Sequence, residues 1–246
     1  MSHYINYQSA FMLNIIILQT ICGVLSILLL KKLKLKHSFS LFSRGSFKRK
    51  NHSIFYLTGF VFIIIILNLL SNINAIVYNT SKINLFLYFI AFMSTGFFEE
   101  LLTRGLVFNT INNKYGQTQK GFYFSIFTTN IIFAITHIVW YIAGLSPLTN
   151  SLNQIFFAFV LGVFFNAVYL KFDTIIVPII FHGLIDVSGS FNFLLITSKD
   201  LYVSSLIQEP ITIPDFIISS LIILPFLIVA IFILKKLGPK NSNTSI

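Results

Sequence analysis

Charge is what this sequence has least of. Only 10% of its 246 residues are Asp, Glu, Lys or Arg, against about 25% in a typical soluble domain, while 56% are hydrophobic. A soluble fold of this length cannot hide so much apolar surface, and apolar runs of membrane-spanning length recur along the chain. Cysteine is almost missing. Cys22 alone, inside the first apolar run, excludes an internal disulfide, a thiolate metal cluster and a cysteine nucleophile with a resolving partner. No positive segment precedes that run and no small-residue cleavage pattern follows it, so it reads as a retained helix and not a signal peptide. No sequence repeat or inverted repeat is evident, which argues against a transporter built from duplicated halves. No basic and aromatic stripe sits on a soluble module, so the net charge of +10 does not point to nucleic acid.

The basic residues lie instead between the apolar runs, where they set topology and meet anionic headgroups. Hydropathy predicts an all-α, polytopic transmembrane bundle of about seven spans, at 9–30, 54–78, 85–111, 122–143, 152–170, 175–196 and 215–234. Of the 17 Lys and Arg, 14 fall on one side of this arrangement, densest in Lys31, Lys32, Lys34, Lys36, Arg44, Lys48, Arg49 and Lys50. Only Lys82 and Lys199 fall on the other side. The positive-inside rule then predicts an external N-terminus and a cytosolic C-terminus. Three regions follow: a two-span region at 1–83, a core at 84–196, and an outer loop with the last span and basic tail at 197–246.

Against so little charge, the third span carries a costly cluster: Gly96-Phe97-Phe98-Glu99-Glu100-Leu101-Leu102-Thr103-Arg104-Gly105. Each charge at mid-membrane depth costs roughly 2.5–3.5 kcal/mol on insertion scales, which makes such groups functional candidates by default. Glu100 and Arg104, four apart, share a helix face and can pair, while Glu99 is rotated by about 100° and left free. Two later spans add His137, four residues after Phe133, and His182 with Asp186, four apart on one face. The remaining histidines, His3, His37 and His52, lie in polar ends or loops.

Depth agrees with convergence. At 1.5 Å per helical residue, Glu100 lies roughly 21 Å from Lys114, His137 roughly 25 Å from Lys120, and His182 roughly 16 Å from Lys171. Three helices can therefore bring carboxylates and imidazoles into one buried layer. Such a layer can activate water, through a buried carboxylate base or through a metal. Singly, each group has a plainer role: interhelical hydrogen bonding for a histidine, a structural ion pair for Glu100 and Arg104, neutralisation of His182 for Asp186. Phe133 reads as packing. Ala158, Gly162 and Asn166 have the spacing of a close helix contact, with a site role for Asn166 as the alternative.

Taken together, Glu99-Glu100-x-x-x-Arg104, Phe133-x-x-x-His137 and His182-x-x-x-Asp186 resemble the motifs of the CAAX protease and bacteriocin-processing family, the Abi or type II CAAX prenyl endopeptidases. The resemblance covers about 86–190. It implies peptide-bond hydrolysis inside the membrane of a peptide or membrane-protein substrate, with Glu99 activating water together with His137 and Glu100 held by Arg104. His182 and Asp186 would steady the oxyanion. Asp186 departs from the Asn usual at this position in eukaryotic prenyl-protein proteases, and because an ionised Asp186 would repel an oxyanion, it would have to be protonated or act by orienting His182. The family is described both as metal-dependent and as glutamate-dependent. A divalent metal such as zinc would have His137, His182 and Glu99 as candidate ligands, although no His-Glu-x-x-His motif occurs. The Ile- and Asn-rich composition suggests a low-GC bacterium and its plasma membrane. There the family is associated with bacteriocin self-immunity and peptide processing rather than with prenylated substrates. A non-catalytic immunity or scaffold protein is the alternative from another class, and a cation- or proton-coupled transporter using the same groups is a third.

Overall fold

A computed structural model describes residues 7–33, 53–71, 81–191, 194 and 209–237. Most of the basic linker after Lys32, the outer turn before Ser81, the outer ends of the spans predicted at 54–78 and 175–196, and the loop containing Lys199 and Asp200 lie outside them. The described residues are helical and contain no strand. The helices are α1 (Tyr7–Lys32), α2 (Ser53–Ser71), α3 (Lys82–Glu100), α4 (Asn109–Tyr115), α5 (Gln119–Ile135), α6 (Val139–Ile142), α7 (Leu148–Phe172), α8 (Ile176–Gly189) and α9 (Ile213–Lys235). A π-helical stretch, Leu101–Phe108, joins α3 to α4, and a 3₁₀ turn, Thr136–Ile138, joins α5 to α6.

Five of these rods are long and apolar enough to cross a bilayer: Ser9–Lys32, Lys82–Tyr115, Gln119–Ile142, Leu148–Phe172 and Ile213–Lys235. Two apolar helices are shorter, Tyr56–Leu70 and Ile176–Gly189. The chain is a multi-pass membrane protein. Helix α7 is its axis, since 61% of its apolar stretch is buried, against 17–39% for the other four long rods. It packs on α5 and α9, while α3 packs on α1 and α8. Outward-facing side chains such as Ile17, Leu18, Leu221 and Phe232 present apolar surface to lipid.

Local signals set the ends that matter. Helix α7 stops at Asp173, whose φ of 51° is the left-handed conformation that Asp tolerates better than most residues. Helix α9 starts with a Thr212–Asp215 capping box and Pro214 in its first turn. Helix α8, expected as a span over 175–196, ends at Gly189. Its 14 residues reach roughly 21 Å, short of a bilayer core of about 30 Å.

The crossing of α3 and α8 fixes the active layer. A Cβ added at Gly96 would sit 2.6 Å from the Gly183 backbone nitrogen, and one at Gly183 would sit 2.6 Å from Met93 Sδ. Only glycines allow the two backbones this close. Glu99 and Glu100 follow Gly96 by about one turn and His182 precedes Gly183, so the contact presses carboxylates against imidazole.

Candidate active site

Arg104 anchors the site. The side chains of Arg104 and Glu100 are both fully buried, with Nη1 of Arg104 donating to Glu100 Oε1 at 2.8 Å. Nη1 also donates to Thr103 Oγ1 at 2.6 Å, while Nη2 donates to the Gly162 carbonyl at 2.6 Å and to Asn130 Oδ1 at 3.3 Å. The rings of Phe133 and Phe165 lie 5.6 Å from the guanidinium carbon. Gly162 must lack a side chain here, because a Cβ would sit 2.5 Å from Asn130 Oδ1. Asn130 in turn donates to Asn166 Oδ1 at 3.0 Å. The cation is thus held from three helices, as a buried charge requires.

The π-helical stretch carries this arginine and needs its own support, because widening the helix disturbs the regular pairing of its carbonyls. Thr103 donates to the Glu99 carbonyl at 2.6 Å. Buried Asn109 donates to the carbonyls of Arg104 and Gly105 at 2.6 and 3.1 Å and is tied to Tyr169 Oη at 3.0 Å. Short π segments of this kind recur at functional sites.

His182 is the hub. Its Nδ1 lies 2.8 Å from Glu100 Oε1, the oxygen already held by Arg104. A carboxylate only accepts, so Nδ1 carries the proton and donates. Nε2 faces the other way, 3.5 Å from Glu99 Oε2 and 3.6 Å from Asp186 Oδ2. Phe165 stacks on the imidazole with centroids 4.7 Å apart and planes 21° from parallel, and Phe133 meets it edge-on at 6.3 Å. The side chains of Glu99 and Asp186 are 23% and 25% exposed, against 8% for His182 and none for Glu100. The arrangement is therefore two-sided, with a sealed structural half and a half open to water. Separations of 3.5–3.6 Å are long for direct hydrogen bonds.

His137 stands at the edge of this group, half-buried on the 3₁₀ turn. Its Nδ1 lies 3.3 Å from the Phe133 carbonyl, which also accepts from Thr136 Oγ1 at 2.6 Å. These side chains compete for a helix carbonyl where α5 gives way to the turn. The ring of Phe133 links the two imidazoles, edge-on to His137 at 5.2 Å and to His182 at 6.3 Å. Among the described residues, the imidazole within ion-pair distance of Glu99 is that of His182, not the His137 implied by the family resemblance.

As arranged, these side chains do not make a metal cage. Among the described residues, no group of three or more His, Cys, Asp or Glu is placed to hold an ion. His182 engages Glu100 and His137 engages a backbone carbonyl through Nδ1, which leaves Nε2 of each ring uncommitted. What the set supports directly is proton transfer.

Sequence reasoning about ionisable groups did not reach Asn130, Thr103, the Gly162 carbonyl or Phe165. Asn130 carried a signal, being a polar side chain in an apolar run two turns before His137. Phe165, one of 29 phenylalanines, carried none.

Residues 80–188 match the family model described as Type II CAAX prenyl endopeptidase Rce1-like. Neither the curated proteins nor the solved structures give a significant match.

Proposed function

We propose, from the match of residues 80–188 to the Rce1-like, type II CAAX prenyl endopeptidase family model, that this chain is an intramembrane endopeptidase using Glu99 as general base. One observation carries the reading: Glu99 and Asp186 converge on His182 Nε2 while its Nδ1 is locked on Glu100. Of the two adjacent glutamates, Glu100 is spent on Arg104 and His182 and sealed from water, so Glu99 is the one able to meet substrate.

A water held against Glu99 on its exposed side gives a proton to Glu99 as its oxygen adds to a peptide carbonyl. The same carboxyl then returns the proton to the departing amine. A positioned base of this kind contributes typically 10²–10⁴ in rate. His182, oriented by Glu100 and Phe165, acts as an imidazolium that presents Nε2–H to the reacting oxygen, and Asp186 balances the charge at that edge of the ring. His137, on the half-exposed rim, faces the incoming peptide. Little of this needs to reorganise, because the sealed Arg104–Glu100 half fixes the geometry in advance. The substrate we propose is a peptide or membrane-associated segment, cleaved in a bacterial plasma membrane in processing or bacteriocin immunity.

The test is cleavage of a library of membrane-inserted peptides by the purified full chain in liposomes, read by mass spectrometry. The wild type should cut a subset, and Glu99→Gln and His182→Gln should not cut it while remaining folded. A wild type that protects cells from a bacteriocin, with both variants protecting equally, would replace the protease with a non-catalytic immunity protein.

A further inference from the structure

At the basic face of the membrane, the last turns of α7 and α9 meet the first turn of α2. Between them lies a groove of about 220 Å³ with two cationic side chains, Lys171 and Lys236, at its edge. Leu57, Phe232 and Leu237 line it with apolar surface, together with Tyr56. Phe232 is 64% and Tyr56 78% exposed, so the groove opens onto the lipid-facing surface.

Each lysine alone is accounted for by the helix C-terminus it sits on, where the dipole favours a cation. Their convergence is not. Both line the same groove, and among the described residues neither has a carboxylate within 4 Å. An external anion can pair with both, and the apolar lining selects one that carries hydrocarbon.

We propose that this groove binds one anionic phospholipid of the cytosolic leaflet. Its phosphate lies between Lys171 and Lys236, and the first methylenes of its chains lie along Leu57 and Phe232. Headgroup attraction spread over the basic face would give no such preference for one groove. The lipid then pins α2 and α9 to the end of α7.

Native mass spectrometry of the full chain in detergent, titrated with phosphatidylglycerol or phosphatidylcholine, tests this. The wild type should retain one phosphatidylglycerol in preference to phosphatidylcholine. Lys171→Gln and Lys236→Gln should each weaken retention about fivefold, corresponding to about 1 kcal/mol per charge near an anionic surface. Lys114→Gln/Lys120→Gln, which removes the same charge elsewhere on that face, should leave retention unchanged. Equal retention by the Lys171→Gln/Lys236→Gln double variant, or an equal loss in the Lys114/Lys120 control, would overturn the site. Competition by inorganic phosphate as effective as by phosphatidylglycerol would overturn the lipid.

Discussion

Replacing Arg104 with Met isolates the part of the site that holds the rest in place. Methionine fills similar apolar volume, so the change removes charge and hydrogen bonds more than packing. It deletes the 2.8 Å bond to Glu100, the 2.6 Å bonds to Thr103 and the Gly162 carbonyl, and the 3.3 Å contact with Asn130. Glu100 is then fully buried with His182 as its remaining partner. Breaking a buried pair from one side costs about 3–5 kcal/mol, because the surviving charge is uncompensated. For a chain of this size that is a loss of roughly 6–20 °C in melting temperature. Thermal unfolding in detergent micelles, followed by intrinsic fluorescence, reads it. Glu100→Leu/Arg104→Met should melt higher than Arg104→Met, since replacing both partners leaves no orphaned charge. A single variant within about 1 kcal/mol of wild type, or a double variant no better than the single, would refute the claim that this ion pair is the anchor.

Gly96→Ala should lower both stability and activity, since its Cβ meets the Gly183 backbone at 2.6 Å. Overpacking costs about 1–3 kcal/mol, and a shift of about 1 Å between Glu99 and His182 can cost 10²-fold in turnover; melting and cleavage assays read the two losses. Phe165→Leu keeps the core filled but removes the ring stacked on His182, so kcat should fall several-fold with KM little changed, from roughly 1 kcal/mol of lost ring contact. Asn109→Leu leaves the Arg104 and Gly105 carbonyls of the π-helical stretch without their side-chain donor. It should destabilise by about 1–3 kcal/mol, and faster hydrogen exchange at 101–108 than in α7 would localise the effect.

The sequence made the ionisable set legible for a simple reason: lipid penalises charge, so every charge inside an apolar run stands out. Glu100 with Arg104 and His182 with Asp186 were readable because four residues return a helix to the same face. The rest depended on facts that hydropathy does not encode. Spacing along α8 could not say that it ends at Gly189, because apolar side chains continue past it. The π-helical stretch, supported by Thr103 and Asn109 bonding to backbone carbonyls, is a matter of register rather than composition. For the same reason His137 is turned toward the Phe133 carbonyl, and His182 takes the place beside Glu99. The neutral partners Asn130 and Gly162 carry no charge to mark them, yet they complete the coordination of Arg104.

The central claim is that Glu99 delivers a water oxygen to a peptide carbonyl. Cleavage in ¹⁸O-labelled water, with the new carboxyl end of the product analysed by mass spectrometry, tests it most directly. One solvent oxygen should enter per bond cut, and Glu99→Gln at unchanged melting temperature should lower that single-turnover rate by at least about 10²-fold. Product without the label, or a Glu99→Gln rate equal to wild type, would contradict it.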